Sequence, residues 1–221
     1  MLNRLHATLH RPERGWDPVP AAHLAAYSAH AAQTFDQAMV PRLEAKVGSL
    51  EGKRILDLGG GPGHYGIEFC RRGARVVWHD VSRRYMDLAR ANARQAGVAI
   101  EFSLGYLEDA HRRWVDEFDL VFCRVCWSYC IDDRRFARVL YSLVKPGGAG
   151  YIECNTPALA DPRGLRKLQY FLDSRLGLKI GHPYPPHGRI ESLFRQFPIR
   201  SIEIDYSSSY TDRVWFFKNG T

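Results

Sequence analysis

A glycine-rich stretch between two acidic residues is the part of this sequence best suited to hold a ligand. Asp57 and Leu58 precede Gly59-Gly60-Gly61-Pro62-Gly63, and Asp80 follows 23 residues after Asp57. Glycines let the chain turn tightly and leave room for a ligand close to the backbone. A carboxylate at the end of the next strand can accept hydrogen bonds from both hydroxyls of a ribose. The combination predicts a site for an adenosine-like ligand.

The acid before the glycines helps to separate two classes of cofactor. A nicotinamide dinucleotide site prefers Gly-x-Gly-x-x-Gly, and here His64 stands where the third glycine belongs. A carboxylate at Asp57 would also face the pyrophosphate of such a dinucleotide. An amino-acid ammonium tolerates an acid at this place. The stretch therefore favours a cofactor that has an amino-acid ammonium and lacks phosphate.

An alternation of short apolar runs and amphipathic segments must position this stretch. The five runs that predict strands are 54–58, 75–79, 99–104, 118–123 and 150–154. Two further β-rich runs, 199–206 and 213–218, have no helix between them and should pair as an antiparallel hairpin. The pattern predicts an α/β fold with a doubly wound, mostly parallel seven-stranded sheet, a C-terminal antiparallel hairpin and helices on both faces.

The segment before the first predicted strand has a different character. Residues 1–20 are polar and irregular in pattern, with three prolines in their second half. Residues 21–39 are alanine-rich and predict one helix, and Pro41 fits the first turn of a second helix. We therefore expect two units, a helical cap at residues 1–52 and a ligand-binding domain at residues 53–221.

Together these motifs resemble those of the class I S-adenosylmethionine-dependent methyltransferases. The family's first motif, acid-x-Gly-x-Gly-x-Gly, matches residues 57–63, and its acid after the second strand matches Asp80. Its Lys-Pro-Gly-Gly matches residues 145–148, and its closing hairpin matches residues 199–218. The resemblance covers about residues 53–218. It implies a Rossmann-like methyltransferase that binds S-adenosyl-L-methionine and releases S-adenosyl-L-homocysteine.

The resemblance also implies cofactor-binding roles for individual residues. These are Gly59, Gly61 and Gly63 under the methionine part, Asp57 at its ammonium, Asp80 at the ribose, Val81, Tyr106 and Leu107 at the adenine, and the backbone of Arg124 at the ammonium. Tyr27 in the predicted cap either closes over the methionine carboxylate or belongs to the core.

Methyl transfer from a sulfonium requires that the acceptor be aligned with the methyl group and that water be excluded. A hydroxyl or ammonium acceptor must also lose a proton, so a base near the methyl group helps. The candidates for this base are His64, Tyr129, Asp132, His182 and His187. We expect His187 and Tyr129 to be the catalytic residues. The proline-rich stretch 182–187 either presents an imidazole or is a surface lid without an acid–base role.

Residues 161–197 follow the fifth predicted strand and are not needed to complete the sheet. We expect a helix from about Pro162 to Leu176 and then a lid, which together form an insertion on the acceptor side. Residues 161–200 contain eight Lys or Arg and three Asp or Glu. This basic surface is either a solvated face or a contact for an anionic acceptor or polyanion.

The composition and the motifs that are missing narrow the acceptor class. There is no apolar run of membrane-spanning length and no apolar core of a signal peptide near the start, which favours the cytoplasm. The motifs of enzymes that methylate exocyclic amines or cytosine carbons of nucleic acids are absent. We therefore expect a small-molecule or saccharide-like acceptor, with Trp16, Trp127 and Tyr129 available to stack on a ring.

Two alternatives of other classes remain open at this point. One is an RNA or protein methyltransferase that docks through the basic residues 161–200. The other is a non-catalytic subunit that binds the cofactor and a partner. The sequence does not indicate an oligomeric state.

The five cysteines are an odd number and lie among apolar residues, so we expect reduced, buried thiols rather than a disulfide framework. Cys123, Cys126 and Cys130 have no fourth ligand placed near them, and tetrahedral metal sites require four. No metal site is therefore expected.

Overall fold

The computed structural model describes residues 2–156, 164–176 and 184–220. Its centre is one seven-stranded sheet with the order β3-β2-β1-β4-β5-β7-β6. The strands are β1 (Arg54–Leu58), β2 (Arg75–Asp80), β3 (Ile100–Leu104), β4 (Phe118–Arg124), β5 (Val144–Asn155), β6 (Ile199–Ser208) and β7 (Thr211–Lys218). Six strands run in the same direction, and β7 runs in the opposite direction between β5 and β6. The predicted fold class and closing hairpin are confirmed.

Eight α-helices lie in the described part of the chain. They are α1 (Leu2–Leu9), α2 (Leu24–Gln33), α3 (Met39–Val47), α4 (His64–Arg71), α5 (Arg83–Gln95), α6 (Asp133–Leu143), α7 (Leu165–Leu176) and α8 (Arg189–Phe194). Two begin at predicted caps. The Ser82 hydroxyl accepts from the Tyr85 N–H at 3.1 Å, and the Asp132 carboxylate accepts from the Arg135 N–H at 2.8 Å. None of these helices is long and apolar enough to cross a membrane.

The first twenty residues differ from the sequence expectation, because Leu2–Leu9 form a helix instead of an irregular segment. The rings of His6 and His10, one turn apart, stack at 4.0 Å and pack edge-on against Trp16. The helix is therefore supported by Trp16, a residue outside it. The sequence of residues 2–9 alone does not reveal this contact.

The single helix predicted over residues 21–39 is also wrong, because α2 ends at Gln33 and α3 begins at Met39. Asp36 lies in the break. Its carboxylate accepts from the Ala38 N–H at 2.9 Å, and its own N–H donates to the Tyr65 hydroxyl at 3.1 Å. These bonds satisfy backbone groups outside a helix and so favour a turn.

The segment after β5 is described only in part. The observed α7 spans Leu165–Leu176, inside the helix expected from about Pro162 to Leu176. Pro162, the residues directly after Leu176 and His182 lie outside the described residues. Residues 184–187 lead into α8 without regular secondary structure before the turn at His187.

The sheet separates two apolar clusters. One packs α6 and α8 against the sheet through residues such as Phe136, Leu140 and Phe194, and the other packs α3 and α4 through Leu43 and Phe69. Because helices cover both faces of the sheet, a ligand must approach it at the ends of the strands, and the glycine-rich stretch follows the carboxyl end of β1. Strand order reverses there between β1 and its neighbours β2 and β4, which is where open α/β sheets bind ligands.

Candidate active site

The glycine-rich loop turns from the end of β1 into α4 through left-handed backbone. The φ angle is +79° at Gly59, +49° at Gly61 and +83° at Gly63. The Gly59 N–H donates to the His79 carbonyl at 2.7 Å, which fixes the loop to β2. A Cβ on Gly59 would lie 2.7 Å from the Cys126 Sγ, closer than real Cβ atoms approach. Position 59 therefore requires glycine both for its backbone and for its packing.

Gly61 at the top of the loop faces space that the described residues do not fill. A Cβ placed on it would meet none of their atoms within 4 Å. Its N–H donates to Asp80 Oδ2 at 3.1 Å, and its carbonyl accepts from the Trp78 Nε1–H at 3.1 Å. The N–H and the carbonyl of Gly61 are thus fixed by hydrogen bonds, while the space next to its Cα stays open. A loop that supports a ligand requires both.

Asp80 ends β2 and is buried beside the loop. Besides the bond from Gly61, it accepts from the Ser82 N–H at 2.9 Å. Burial raises the pKa of its carboxyl, those backbone bonds oppose the rise, and nearby Asp17 adds to it. A carboxylate has about four acceptor positions, so acceptor capacity remains for the hydroxyls of a ribose.

Asp57 in β1 is 3% exposed, and among the described residues its Oδ2 has no partner of full hydrogen-bond geometry. Burial, and then the charge of Asp80, raise its pKa to about 7, while the nearby Gly66 N–H opposes the rise. Buried polar atoms without partners are rare and costly. A cationic ligand group would remove this cost, so the site suits a cofactor with an ammonium.

The turn at the end of β4 is strained. Val125, a β-branched residue, has a φ of +59°, in the region that favours glycine. Its N–H donates to the Glu153 carbonyl at 2.7 Å, which secures the turn to β5. Strain of this kind persists where the surroundings enforce it and is typical of ligand sites. It lies directly after Arg124, the residue whose backbone is expected at the ammonium.

The expected adenine end is joined to the N-terminal segment. The Tyr106 hydroxyl donates to the His10 carbonyl at 2.7 Å, and the Tyr106 ring stacks on Trp16 with ring centroids 6.0 Å apart. Leu107 is buried beside it, while Val81 is half-buried. Trp16 was expected to stack on an acceptor, but the rings it contacts in the described residues are Tyr106, His6 and His10.

Asp17 is a site residue that the sequence analysis missed. Its carboxylate accepts from the Ser82 hydroxyl and from the Arg84 N–H, both at 2.9 Å. It therefore secures the N-terminal segment to the start of α5, next to Asp80. Only its position among prolines hinted at an ordered turn.

Tyr27 and Tyr129 come together at the mouth of the site. Burial raises the pKa of Tyr129, and the neighbouring phenols of Tyr184 and Tyr27 add to the rise. Burial, followed by the charge of Asp80 and then by Tyr27 and Tyr129, raises the pKa of Tyr85 to about 12. Phenols from α2, α5 and the turn after β4 thus share one region. Tyr27 is 46% exposed, so the alternative that it belongs to the core is wrong. Its role at the methionine carboxylate and the catalytic role of Tyr129 stay predictions.

His187 is tied to the β6–β7 hairpin. Its Nδ1 lies 2.5 Å from Asp212 Oδ1, and its Nε2 lies 3.0 Å from the Ser209 carbonyl and 3.3 Å from the Thr156 hydroxyl. Thr156 directly follows β5, so the imidazole is at the carboxyl edge of the sheet. A base needs a free nitrogen, so Nε2 would have to leave Ser209 before accepting a proton. The expectation of catalysis by His187 stays a prediction.

The structure corrects the expectation for Trp127, which is 2% exposed and packs against Phe136 at 5.0 Å between ring centroids, so it cannot stack on an acceptor. All five cysteines are thiols rather than disulfide partners, and the expectation of burial holds for four of them while Cys70 is half-buried. Within the described ranges, no three His, Cys, Asp or Glu side chains gather as they would around a metal ion.

Comparison with known proteins agrees with this geometry. Residues 55–148 match a family model described as a methyltransferase domain. Ubiquinone biosynthesis O-methyltransferase from Aeromonas salmonicida is 34% identical over 107 residues, which are 48% of this chain and 45% of that protein. The enzyme of the same name from Bordetella avium is 31% identical over 106 residues, 48% of this chain and 44% of that protein. The match spans a little under half the length of these relatives.

Solved structures show the same fold. A putative sarcosine dimethylglycine methyltransferase from Galdieria sulphuraria superimposes with a TM-score of 0.65 at 14% identity, covering 82% of this chain and 84% of that one. Phosphoethanolamine N-methyltransferase 2 from Haemonchus contortus, solved with S-adenosyl-L-methionine, gives 0.68 at 15% identity, covering 90% and 57%. The domain match, the strand order and the glycine loop together confirm the expected resemblance: residues 55–148 are a methyltransferase domain, and the fold around them is that of the class I S-adenosylmethionine-dependent methyltransferases.

Proposed function

We propose that this chain transfers a methyl group from S-adenosylmethionine to a hydroxyl of a small-molecule acceptor. The observation that carries the proposal is the buried Asp57 carboxylate, whose Oδ2 has no partner among the described residues and whose pKa is raised to about 7. An ammonium beside it would complete a hydrogen bond and compensate the charge. The cofactor brings that ammonium and a methyl group activated by its sulfonium.

The chain's own residues would bind and orient the cofactor and would shield its methyl group from water. Asp80 would accept from the ribose hydroxyls, and Gly61 would leave room above the loop. Residues 1–52 would cap the nucleoside end, since residues as far back as His10 already bond Tyr106 there. Tyr27 and Tyr129 would exclude water from the methyl group.

The choice of a hydroxyl acceptor rests on the relatives, which are named as O-methyltransferases. A saccharide-like acceptor loses one of its supports because Trp127 is buried. The described residues of the stretch 161–200 offer no support for docking of RNA through its basic side chains. There Arg189 pairs with Asp133 at 2.8 Å and Arg195 pairs with Glu191 at 2.6 Å.

Proton removal from the hydroxyl would fall to His187, with Tyr129 as the other candidate. Asp212 would orient the imidazole through Nδ1. The Nε2 would exchange the Ser209 carbonyl for the acceptor hydroxyl. In this arrangement a carboxylate orients the base, as is common where a side chain removes a proton from a hydroxyl.

Calorimetry tests the cofactor assignment first. The chain should bind S-adenosylhomocysteine, and NAD much more weakly. Tight NAD binding without S-adenosylhomocysteine binding would overturn the proposal. S-adenosylhomocysteine release during incubation with a panel of phenols and polyols then tests turnover, and binding without release for any of them would favour the non-catalytic subunit.

Once an acceptor is found, His187→Ala should lower kcat about 100-fold or more while cofactor affinity stays nearly constant. His187→Asn separates this effect from anchoring of the hairpin, because the amide can still bond one acceptor. If His187→Asn restores kcat, the histidine only holds the hairpin and Tyr129 becomes the candidate base.

A further inference from the structure

Four side chains form a row of alternating charge across the sheet. Arg124, Glu153, Arg213 and Asp205 are register neighbours on β4, β5, β7 and β6. Arg124 Nε lies 2.9 Å from Glu153 Oε1, and Arg213 Nε lies 3.3 Å from Glu153 Oε2. Arg213 Nη1 lies 3.0 Å from Asp205 Oδ2. We call these four residues the charge row.

Glu153 fixes the geometry of the charge row. It is 4% exposed, and besides the two arginines the Tyr151 hydroxyl donates to it at 2.9 Å. A buried carboxylate with this many donors is compensated and holds its partners in one arrangement. Arg124 is therefore held beside Glu153 by charge, although its Nε is buried and has no partner of hydrogen-bond geometry among the described residues.

The other end of the Arg124 guanidinium is available. Its carbon lies 5.4 Å from the centroid of the Tyr65 ring, in cation–π contact, and its side chain is 25% exposed. Within the described ranges, no hydrogen bond from its Nη nitrogens is found. An arginine has five N–H donors in a planar fork that matches a carboxylate.

Arg124 also lies at the right end of the site. It closes β4, the strand beside β1, and Asp57 is the register neighbour of Phe122 two residues earlier. Phe122 contacts Tyr65 of α4 at 5.1 Å between ring centroids, so Phe122 and Arg124 share the face that α4 covers. Arg124 thus lies on the strand next to the one that carries Asp57, whereas Asp80 is on β2, one strand farther away.

We propose that Arg124 binds a carboxylate in this site and that Glu153 positions it. The proposal rests on the proposed function, because the cofactor and an anionic acceptor are the two sources of such a carboxylate. The cofactor is the favoured source, since an amino acid with its ammonium at Asp57 would present its carboxylate nearby.

Calorimetry with S-adenosylhomocysteine and with its decarboxylated analogue tests the first source. Arg124→Met should weaken S-adenosylhomocysteine binding about 10- to 100-fold and change binding of the analogue less than about 3-fold. Arg124→Lys, which keeps the charge but not the fork, should fall between. Arg213→Met is the matched control, because it also removes one partner of Glu153 but lies two strands farther from the site.

A titration of benzoate into the complex saturated with S-adenosylhomocysteine, followed by NMR, tests the second source. Unchanged S-adenosylhomocysteine affinity with loss of benzoate shifts in Arg124→Met would assign the carboxylate to the acceptor. No difference from wild type in either titration overturns the proposal. An equal loss in Arg213→Met also overturns it, because the effect would then be structural. If wild type itself fails to bind S-adenosylhomocysteine, the proposed function fails first.

Discussion

The two ends of the candidate cofactor site differ in how completely their buried polar groups are satisfied. At the nucleoside end, Asp80 accepts from two backbone N–H groups, and Ser82 beside it bonds Asp17. At the amino-acid end, Asp57 Oδ2 and His64 Nε2 are buried without partners among the described residues. Burial lowers the pKa of His64, so it adds no charge to compensate Asp57 at neutral pH.

This difference indicates two kinds of contribution to binding. The satisfied end is held in shape before the ligand arrives, so little ordering is required there. The unsatisfied end carries a desolvation cost in the free protein that a complementary ligand removes. Substitutions at the two ends should therefore have opposite effects on the stability of the free protein.

The largest loss of affinity is expected at the satisfied end. Asp80→Ala removes the ribose acceptor and the support of the Gly61 N–H. A hydrogen bond to a charged group contributes roughly 1.5–3 kcal/mol, so S-adenosylhomocysteine affinity should fall about 10- to 150-fold in calorimetry. Asp119→Ala, which breaks an ion pair with Lys145 near the start of β4, away from the carboxyl ends of the strands, serves as the control. Unchanged affinity in Asp80→Ala would place the ribose partner elsewhere.

Gly61→Ala should separate ligand contact from backbone strain. Gly61 and Gly97 both have positive φ and both have open space where a Cβ would lie, but Gly97 ends α5 far along the chain from the loop. Each alanine should destabilise the fold by about 1 kcal/mol. Only Gly61→Ala should also weaken S-adenosylhomocysteine binding, by about 10-fold, because the methyl group occupies ligand space. Equal affinities of the two variants would mean that the ligand does not lie over Gly61.

Asp57→Asn should reverse the sign of the stability effect. The amide keeps the shape of the side chain but removes a buried charge, so Tm of the free protein should rise while S-adenosylhomocysteine affinity falls about 10-fold. Asp119→Asn is the contrast. Burial acts to raise the pKa of Asp119, but Lys145 and the Arg54 N–H lower it overall, so its loss should lower Tm. A lower Tm in Asp57→Asn would show that its carboxylate is already compensated.

The smallest effect is a pH dependence. With a pKa of about 7, Asp57 is mostly protonated at pH 6 in the free protein and mostly ionised at pH 8. Because the ammonium requires the ionised form, affinity should rise by up to about 10-fold from pH 6 to pH 8. Calorimetry in two buffers of different ionisation enthalpy should detect proton release near pH 6, and Asp57→Asn should abolish it.

The same ionisation predicts how stability responds to pH. The folded carboxyl keeps its proton up to about pH 7, whereas the unfolded one loses it near pH 4. The contribution of Asp57 to the free energy of unfolding therefore decreases as pH rises through this window. Thermal melts at pH 5 and pH 7 should show a smaller decrease in Asp57→Asn than in wild type.

Local patterns were sufficient to predict the sheet and the glycine loop. The strands are short apolar runs, and Ser82 and Asp132 cap their helices within three residues, so each signal lies inside its element. The helix Leu2–Leu9 and the break at Asp36 were missed because Trp16 and Tyr65, which stabilise them, lie elsewhere in the chain.

The site divides in the same way. Asp57 and Asp80 follow from the order of strand, loop and strand. The position of His187 against Asp212 depends on how the hairpin packs, 25 residues later in the chain. The pairing of Arg124 with Glu153 depends on the register of β4 and β5, which the sequence does not specify.

The position of β7 between β5 and β6 has a consequence for the order of assembly during synthesis. Strand β5 receives its second neighbour only from Thr211–Lys218, after the whole stretch containing α7 and α8 has been made. Until then its outer edge, with Tyr151 and Glu153, remains open to pairing with another chain, and such exposed edges favour aggregation. During synthesis, the outer edge of β5 would therefore stay unpaired until the end of the chain has emerged, whereas β1 has both of its neighbours once β4 has emerged.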